Sequence, residues 1–186
     1  MLELEKFLEL NNIDTGELFE ALHMDIREVI LKIVCEKLKK DEHFFAWAKR
    51  VFFSTNNIDA TKKVVARACD CKLSEGDTLW MKDCIKAFFA KNASRQVITQ
   101  EEKERLLKKQ GNKCAICGCE ISLQEMHVDH IIPFDYVGDR LNDNYQGLCK
   151  DCNLSKSNHV AITVTNLITH RRLKDEKSLF DKGTAV

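Results

Sequence analysis

The chain is poor in the features that would assign it to several large classes. It has a single proline, Pro133, among 186 residues, so nothing interrupts a helical pattern through the whole of its first half. It has no excess of either charge, with 29 basic and 29 acidic residues. Neutrality is an unusual background for tight, autonomous nucleic-acid binding, which draws most of its affinity from phosphate neutralisation. Both parts are balanced, with 15 basic and 16 acidic residues over 1–94 and 14 and 13 over 95–186. No apolar run approaches the ~20 residues that a membrane span needs, and the first residues are acidic, unlike a secretory signal. The expected location is the cytoplasm, with no membrane association. There is no internal repeat and no low-complexity segment.

What is present divides into two regions. Residues 1–92 read as a helical bundle. Ile26, Val29, Ile30, Ile33, Val34 and Leu38 follow helical spacing. Phe44, Trp47, Ala48, Val51 and Phe52 form a second stripe, and Val64, Val65 and Ala68 a weaker third. Ser74 is a candidate N-cap for a helix whose core face is Met81, Cys84, Ile85, Phe88 and Phe89. Leu4, Phe7 and Leu8 suggest a short opening helix. His23 and His43 stand alone, so this region is expected to recruit a partner or substrate, or to self-associate, rather than catalyse. Residues 93–98 read as a linker. Thr99 and Glu102 then fit a capping box, opening a charged helix that stops at Gly111. The remainder, 99–186, is the second domain, with its core at 112–159.

Nine cysteines point to metal rather than disulfides in a reducing compartment. Four form two Cys-x-x-Cys pairs, Cys114 with Cys117 and Cys149 with Cys152. Two such turns supply the four thiolates of a tetrahedral zinc, and a full shell makes that zinc structural. Cys35, Cys69, Cys71, Cys84 and Cys119 have no matching spacing and read chiefly as core thiols.

Between the pairs lie Val-Asp-His-Ile-Ile-Pro at 128–133 and Asn-Tyr-Gln at 144–146; Asn153 and Lys156 follow the second pair. These groups suit phosphodiester hydrolysis. Histidine as a residue type titrates near neutrality, so His130 can act as a base, while Asp129 and the amide oxygen of Asn153 are hard ligands for a divalent ion. Asp129 and His130 are strand neighbours, and they can serve one site only if the strand ends or twists there. Asn153 directly follows a zinc ligand, so a zinc knuckle would fix its position.

In this order the motifs resemble the HNH endonuclease family, of the zinc-stabilised ββα-metal type with asparagine at the last motif position. The resemblance covers roughly a quarter of the chain. It implies two antiparallel strands, a loop and a helix starting near Asp151, which together with the helical bundle read from the spacing in residues 1–92 makes the expected class α+β. It also implies that His130 is the general base, that Asn144 braces the loop and orients that base, and that Asp129 and Asn153 hold a catalytic Mg2+ or Mn2+. DNA is the implied substrate, with RNA the alternative. Arg140 and Lys156 are candidate phosphate contacts. His127 reads chiefly as an exposed strand residue, His159 as a surface residue, and His170 with Arg171 and Arg172 as a small basic cluster. Small proteins of this family are associated with restriction, phage defence or mobile elements. The competing expectation is a zinc-stabilised binding module without catalysis.

Overall fold

The structure is a computed structural model and describes residues 3–10, 12–54, 56–91, 94–157, 159 and 163–165. His170, Arg171 and Arg172 lie outside the described residues. The chain is mostly helical, with one small two-stranded sheet in its second half. Among the described residues, five helices come first: α1 (Glu3–Leu10), α2 (Thr15–Lys40), α3 (Glu42–Ser54), α4 (Asn57–Cys69) and α5 (Glu75–Ala90). They are followed by α6 (Gln100–Lys109), β1 (His127–His130), α7 (Phe134–Val137), β2 (Tyr145–Leu148) and α8 (Lys150–Lys156). No helix among the described residues is long and apolar enough to cross a membrane.

The helix boundaries follow from local chemistry. Asp14 accepts the backbone N–H groups of Gly16 and Glu17 at the start of α2, and Asp41 accepts that of Phe44 at the start of α3. Ser74 caps α5, with Asp77 N–H at 3.1 Å from its hydroxyl. The Thr99–Glu102 capping box closes in both directions: Thr99 N–H donates to the Glu102 carboxylate at 2.8 Å, and Glu102 N–H to the Thr99 hydroxyl at 3.3 Å. The other end of α6 unwinds through Gly111, whose φ of +65° is a conformation that favours glycine.

The chain forms two compact units. One takes in residues 1–26 and 161–186, the other residues 27–160. In the first, Leu8, Ile13 and Ala21 are buried, and the buried carboxylate of Asp25 accepts the backbone N–H groups of Thr163 and Val164 at 2.8 and 3.0 Å. Ile26 is half exposed there.

The second unit has two apolar clusters. The larger gathers Leu31, Val34, Cys35 and Leu38 of α2, Phe44, Ala48 and Phe52 of α3, Val64 and Val65 of α4, and Met81, Ile85 and Phe88 of α5. Ile132, Tyr136 and Val137, from the connection between the two strands, belong to the same cluster. The face expected for α2 is therefore rotated. Val29 and Ile33 are exposed at 42% and 41%, while Leu31 and Cys35 are fully buried. Residues 29–35 carry two overlapping apolar stripes at the same spacing, and periodicity alone cannot choose between them. The remaining stripes bury as expected, with Phe89, Trp47 and Val51 only partly covered. Cys35 and Cys84 are core thiols, and burial pushes Cys35 up to about 12.

The smaller cluster, Leu107, Cys114, Ile121, Met126 and Leu148, lies under the sheet. β1 and β2 pair antiparallel with His127 opposite Leu148, Asp129 opposite Gln146 and His130 opposite Tyr145. Gln110 extends this pairing with its side chain, accepting Gly147 N–H at 2.7 Å and donating to the Gly147 carbonyl at 3.0 Å. A Cβ at Gly147 would collide with Met126, so no larger residue fits without shifting it. Residues 94–99 have no helix or strand. The chain around them is nonetheless tied down, by Lys91 Nζ donating to the Asp135 carbonyl at 2.8 Å and Gln96 N–H to Asp139 at 2.7 Å.

Candidate metal centre and active site

The two Cys-x-x-Cys turns converge. The sulfurs of Cys114, Cys117, Cys149 and Cys152 all lie within 4.8 Å of one another. Local geometry explains the convergence. Gly118 N–H donates to the Cys114 carbonyl at 2.9 Å, with Gly118 at φ +69°, which folds the first pair back on itself. Ala115 N–H donates to the Gly147 carbonyl at 3.0 Å, which docks that turn against β2. The second pair spans the end of β2 and the first turn of α8. Burial pushes the Cys114 thiol up, but backbone N–H groups of Cys117, Cys149 and Ile116 outweigh it and bring the group down to about 7. A four-sulfur cluster with one readily ionised thiol suits zinc, which binds thiolates and tolerates tetrahedral closure. Cys119 is a fifth thiol at the edge of the cluster, its sulfur 3.3 Å from that of Cys117.

The two Cys-x-x-Cys turns border the sheet and α8, and these elements position the remaining groups. His130 is the last residue of β1, where strict alternation with Asp129 need not hold. Its ring is 11% exposed and its Nε2 lies 2.7 Å from Asp139 Oδ1. Asp139, 4% exposed in its side chain, receives the Tyr145 hydroxyl at 2.6 Å on Oδ1 and the Gln96 backbone N–H at 2.7 Å on Oδ2. Burial pushes the Asp139 carboxyl up, but the Tyr145 hydroxyl, the Gln96 amide and the His130 ring together hold it below the usual carboxylate range. Burial and donation to Asp139 push the Tyr145 phenol up, so it stays a donor. An ionised Asp139 only accepts hydrogen bonds, so Nε2 of His130 is the donor in this pair. The ring is flanked by Tyr145 and Phe134, with centroids at 4.7 and 5.6 Å.

Asp129 faces a different set of partners. Its Oδ2 is 2.8 Å from Lys156 Nζ and receives Gln146 Nε2 at 3.4 Å. Lys156 is 5% exposed, and the same ammonium donates to the His130 carbonyl at 2.7 Å. Lys156 sits one turn beyond Asn153, so its two bonds pin the helix that carries Asn153 against β1. Asn144 is buried and braces the loop with both ends of its amide. Its oxygen accepts Ile132 N–H at 2.8 Å, and its nitrogen donates to the Ile132 carbonyl at 2.9 Å. His127, Arg140 and His159 are exposed. Sequence reasoning did not single out Asp139, Tyr145, Gln110 or Gln96. Only Tyr145 carried a signal, as the middle residue of Asn-Tyr-Gln.

No curated protein and no solved structure matches the chain. A family model does: residues 114–159 match the HNH endonuclease. The matched segment starts at the first zinc-site cysteine and runs through both strands and α8. Residues 114–159 therefore match the model of an HNH domain, within a longer and mostly helical chain, and the match implies a nuclease-type function.

Proposed function

We propose that the protein is an endonuclease that hydrolyses phosphodiester bonds in DNA, with His130 as general base. The observation that carries this reading is the His130–Asp139 pair at the end of β1, with a second carboxylate, Asp129, one residue away. His130 Nδ1 takes a proton from water as the water oxygen attacks phosphorus. Asp139 accepts Nε2–H, stabilising the imidazolium that forms, and Tyr145 and the Gln96 amide keep Asp139 ionised. The phosphorus–oxygen bond opposite the attacking oxygen breaks, and the leaving alkoxide takes up a proton from solvent. Asn144 acts as a positioning residue, holding the Ile131–Ile132 turn that follows the base.

Asp129 and the amide oxygen of Asn153 would hold a divalent ion, Mg2+ or Mn2+. The donor set fits, because both groups offer oxygen and only Oδ2 of Asp129 is engaged by Lys156 and Gln146. When bound, such an ion would supply positive charge at the phosphorane and at the leaving oxygen. Lys156 is buried and committed to Asp129 and the His130 carbonyl, and Arg140, exposed in the loop, is a second candidate for phosphate contact. Structural zinc held by the four cysteines would keep Asn153 in register with β1. Residues 1–92 would recruit a partner or the substrate, or self-associate, and a restriction or phage-defence role fits a small nuclease of this kind.

One observation favours a second reading, a zinc-stabilised binding module without catalysis. The Lys156 ammonium already balances the Asp129 carboxylate. One experiment separates the two: nicking of supercoiled plasmid with magnesium or manganese, wild type against His130→Ala. The nuclease reading expects divalent-dependent nicking that falls by about 10²–10⁴-fold in the variant, the usual contribution of a general base. Equal rates would remove His130 from the chemistry, and no nicking by wild type under any divalent ion would favour the binding module.

A further inference from the structure

Beside the His130–Asp139 pair lies a cavity of about 270 Å³ that the hydrolytic step does not use. Tyr145 is the wall it shares with that pair: the phenol donates to Asp139, and the ring lies against the His130 imidazole. The other apolar walls are Ile98, from the stretch before α6, and Leu106, from α6 itself. Both precede the segment that matches the family.

The charged rim has a consistent logic. Arg105 and Lys109 stand one turn apart on α6 and both line the cavity. Arg105 pairs with Glu101 at 3.8 Å, with side chains 80% and 84% exposed, and Lys109 with Asp143 at 3.1 Å, with side chains 70% and 84% exposed. Pairs this exposed contribute little, so an incoming phosphate can replace the carboxylate in either. Glu102 and Asp143 also line the cavity; the Glu102 carboxylate is turned to Thr99 in the capping box, and that of Asp143 to Lys109. The cavity therefore offers an aromatic wall and two aliphatic walls, with two exchangeable cations at its edge.

The volume is near the lower bound of ~300 Å³ for small-molecule sites, the scale of a single nucleoside. A base can meet the Tyr145 wall only if it has left its own stack, since the faces of paired bases are covered by their neighbours. We infer that this cavity receives one unpaired nucleotide of the substrate strand, next to the phosphate presented to His130. The base lies between Tyr145, Ile98 and Leu106, and the adjoining phosphate is held by Arg105 and Lys109. The protein accordingly prefers single-stranded or locally unpaired nucleic acid to continuous duplex. This rests on the nuclease reading and names the substrate class of that same site.

The test measures binding separately from cleavage. The full chain carrying His130→Ala is titrated into labelled oligonucleotides of equal length: single-stranded DNA, single-stranded RNA, a fully paired DNA duplex, and the same duplex with one bulged nucleotide. Single-stranded DNA or RNA, together with the bulged duplex, should bind about tenfold tighter than the paired duplex. Adding Leu106→Trp, which fills the cavity, should collapse that gap. Adding Arg105→Glu, an exposed change that leaves the apolar walls alone, should weaken binding of the unpaired substrates and flatten its salt dependence. Equal affinity for paired and unpaired substrates overturns the inference. So does a gap that survives both Leu106→Trp and Arg105→Glu in protein that keeps its helical circular dichroism. Failure of the nuclease reading looks different: wild type would cleave none of the four substrates with magnesium or manganese, whatever the binding series gave.

Discussion

At the scale of single residues, the proposed hydrolysis would depend most, after His130, on Asp139. It accepts three hydrogen bonds while almost fully buried. Asp139→Asn would keep the volume but could no longer anchor the charge of a protonated His130. We expect nicking to fall about 10- to 100-fold, the cost typical of removing an outer hydrogen-bond partner of a ligating histidine. Plasmid nicking by both proteins at one pH reads the effect. A stability signature accompanies it. The folded-state pKa of Asp139 lies below its value in the unfolded chain, so the carboxylate stabilises the fold above about pH 4 and that contribution is lost as pH falls through the folded pKa. Urea midpoints of wild type and Asp139→Asn should therefore differ at pH 7 and draw together toward pH 3.

At the scale of elements, the zinc turns and the sheet form one device. Cys114 and Cys117 dock against β2, and Cys149 and Cys152 bracket the start of α8. Cys149→Ser should release the metal, since a serine hydroxyl is not a thiolate and metal binding in such sites is coupled to folding. Elemental analysis should give about one zinc per wild-type chain and far less in the variant, with a lower melting temperature. No zinc in the pure wild-type protein would refute the centre.

Most of these elements were legible in the residues. Both caps form where Ser74 and Thr99 predict them, because a cap is a bond between neighbours in sequence. The cysteine spacing anticipates the four-sulfur cluster for the same reason, two tight turns each being local. Asp139 was not legible. It lies in Gly-Asp-Arg-Leu, a composition that reads as an ordinary turn, and its partners are at positions 96, 130 and 145. Nothing periodic links those four positions, and only the folded loop brings them together. The face of α2 failed for another reason, since two apolar stripes compete on one helix and tertiary packing decides.

At the scale of the whole chain, the connection between the strands is where the HNH segment meets the helices. Ile132, Tyr136 and Val137 are buried in the same cluster as Leu31, Phe52 and Ile85. A fragment of residues 95–186 would leave those three side chains without cover. We expect it to bind zinc but to aggregate or bind a hydrophobic dye, and to nick plasmid far more slowly than the full chain. Equal nicking by a soluble, monomeric fragment would mean that this packing does not support the site.

The bond from Gln96 to Asp139 has a different kind of consequence. It is made by a backbone N–H, while the Gln96 side chain is exposed. Every amino acid but one carries that donor. In a saturation scan of position 96 read by nicking, the outcome should be nearly flat across nineteen residues and drop only at proline, which lacks the N–H. A contact of this kind leaves no preferred residue type behind, so it is inherited through the path of the chain and not through the identity of its side chains.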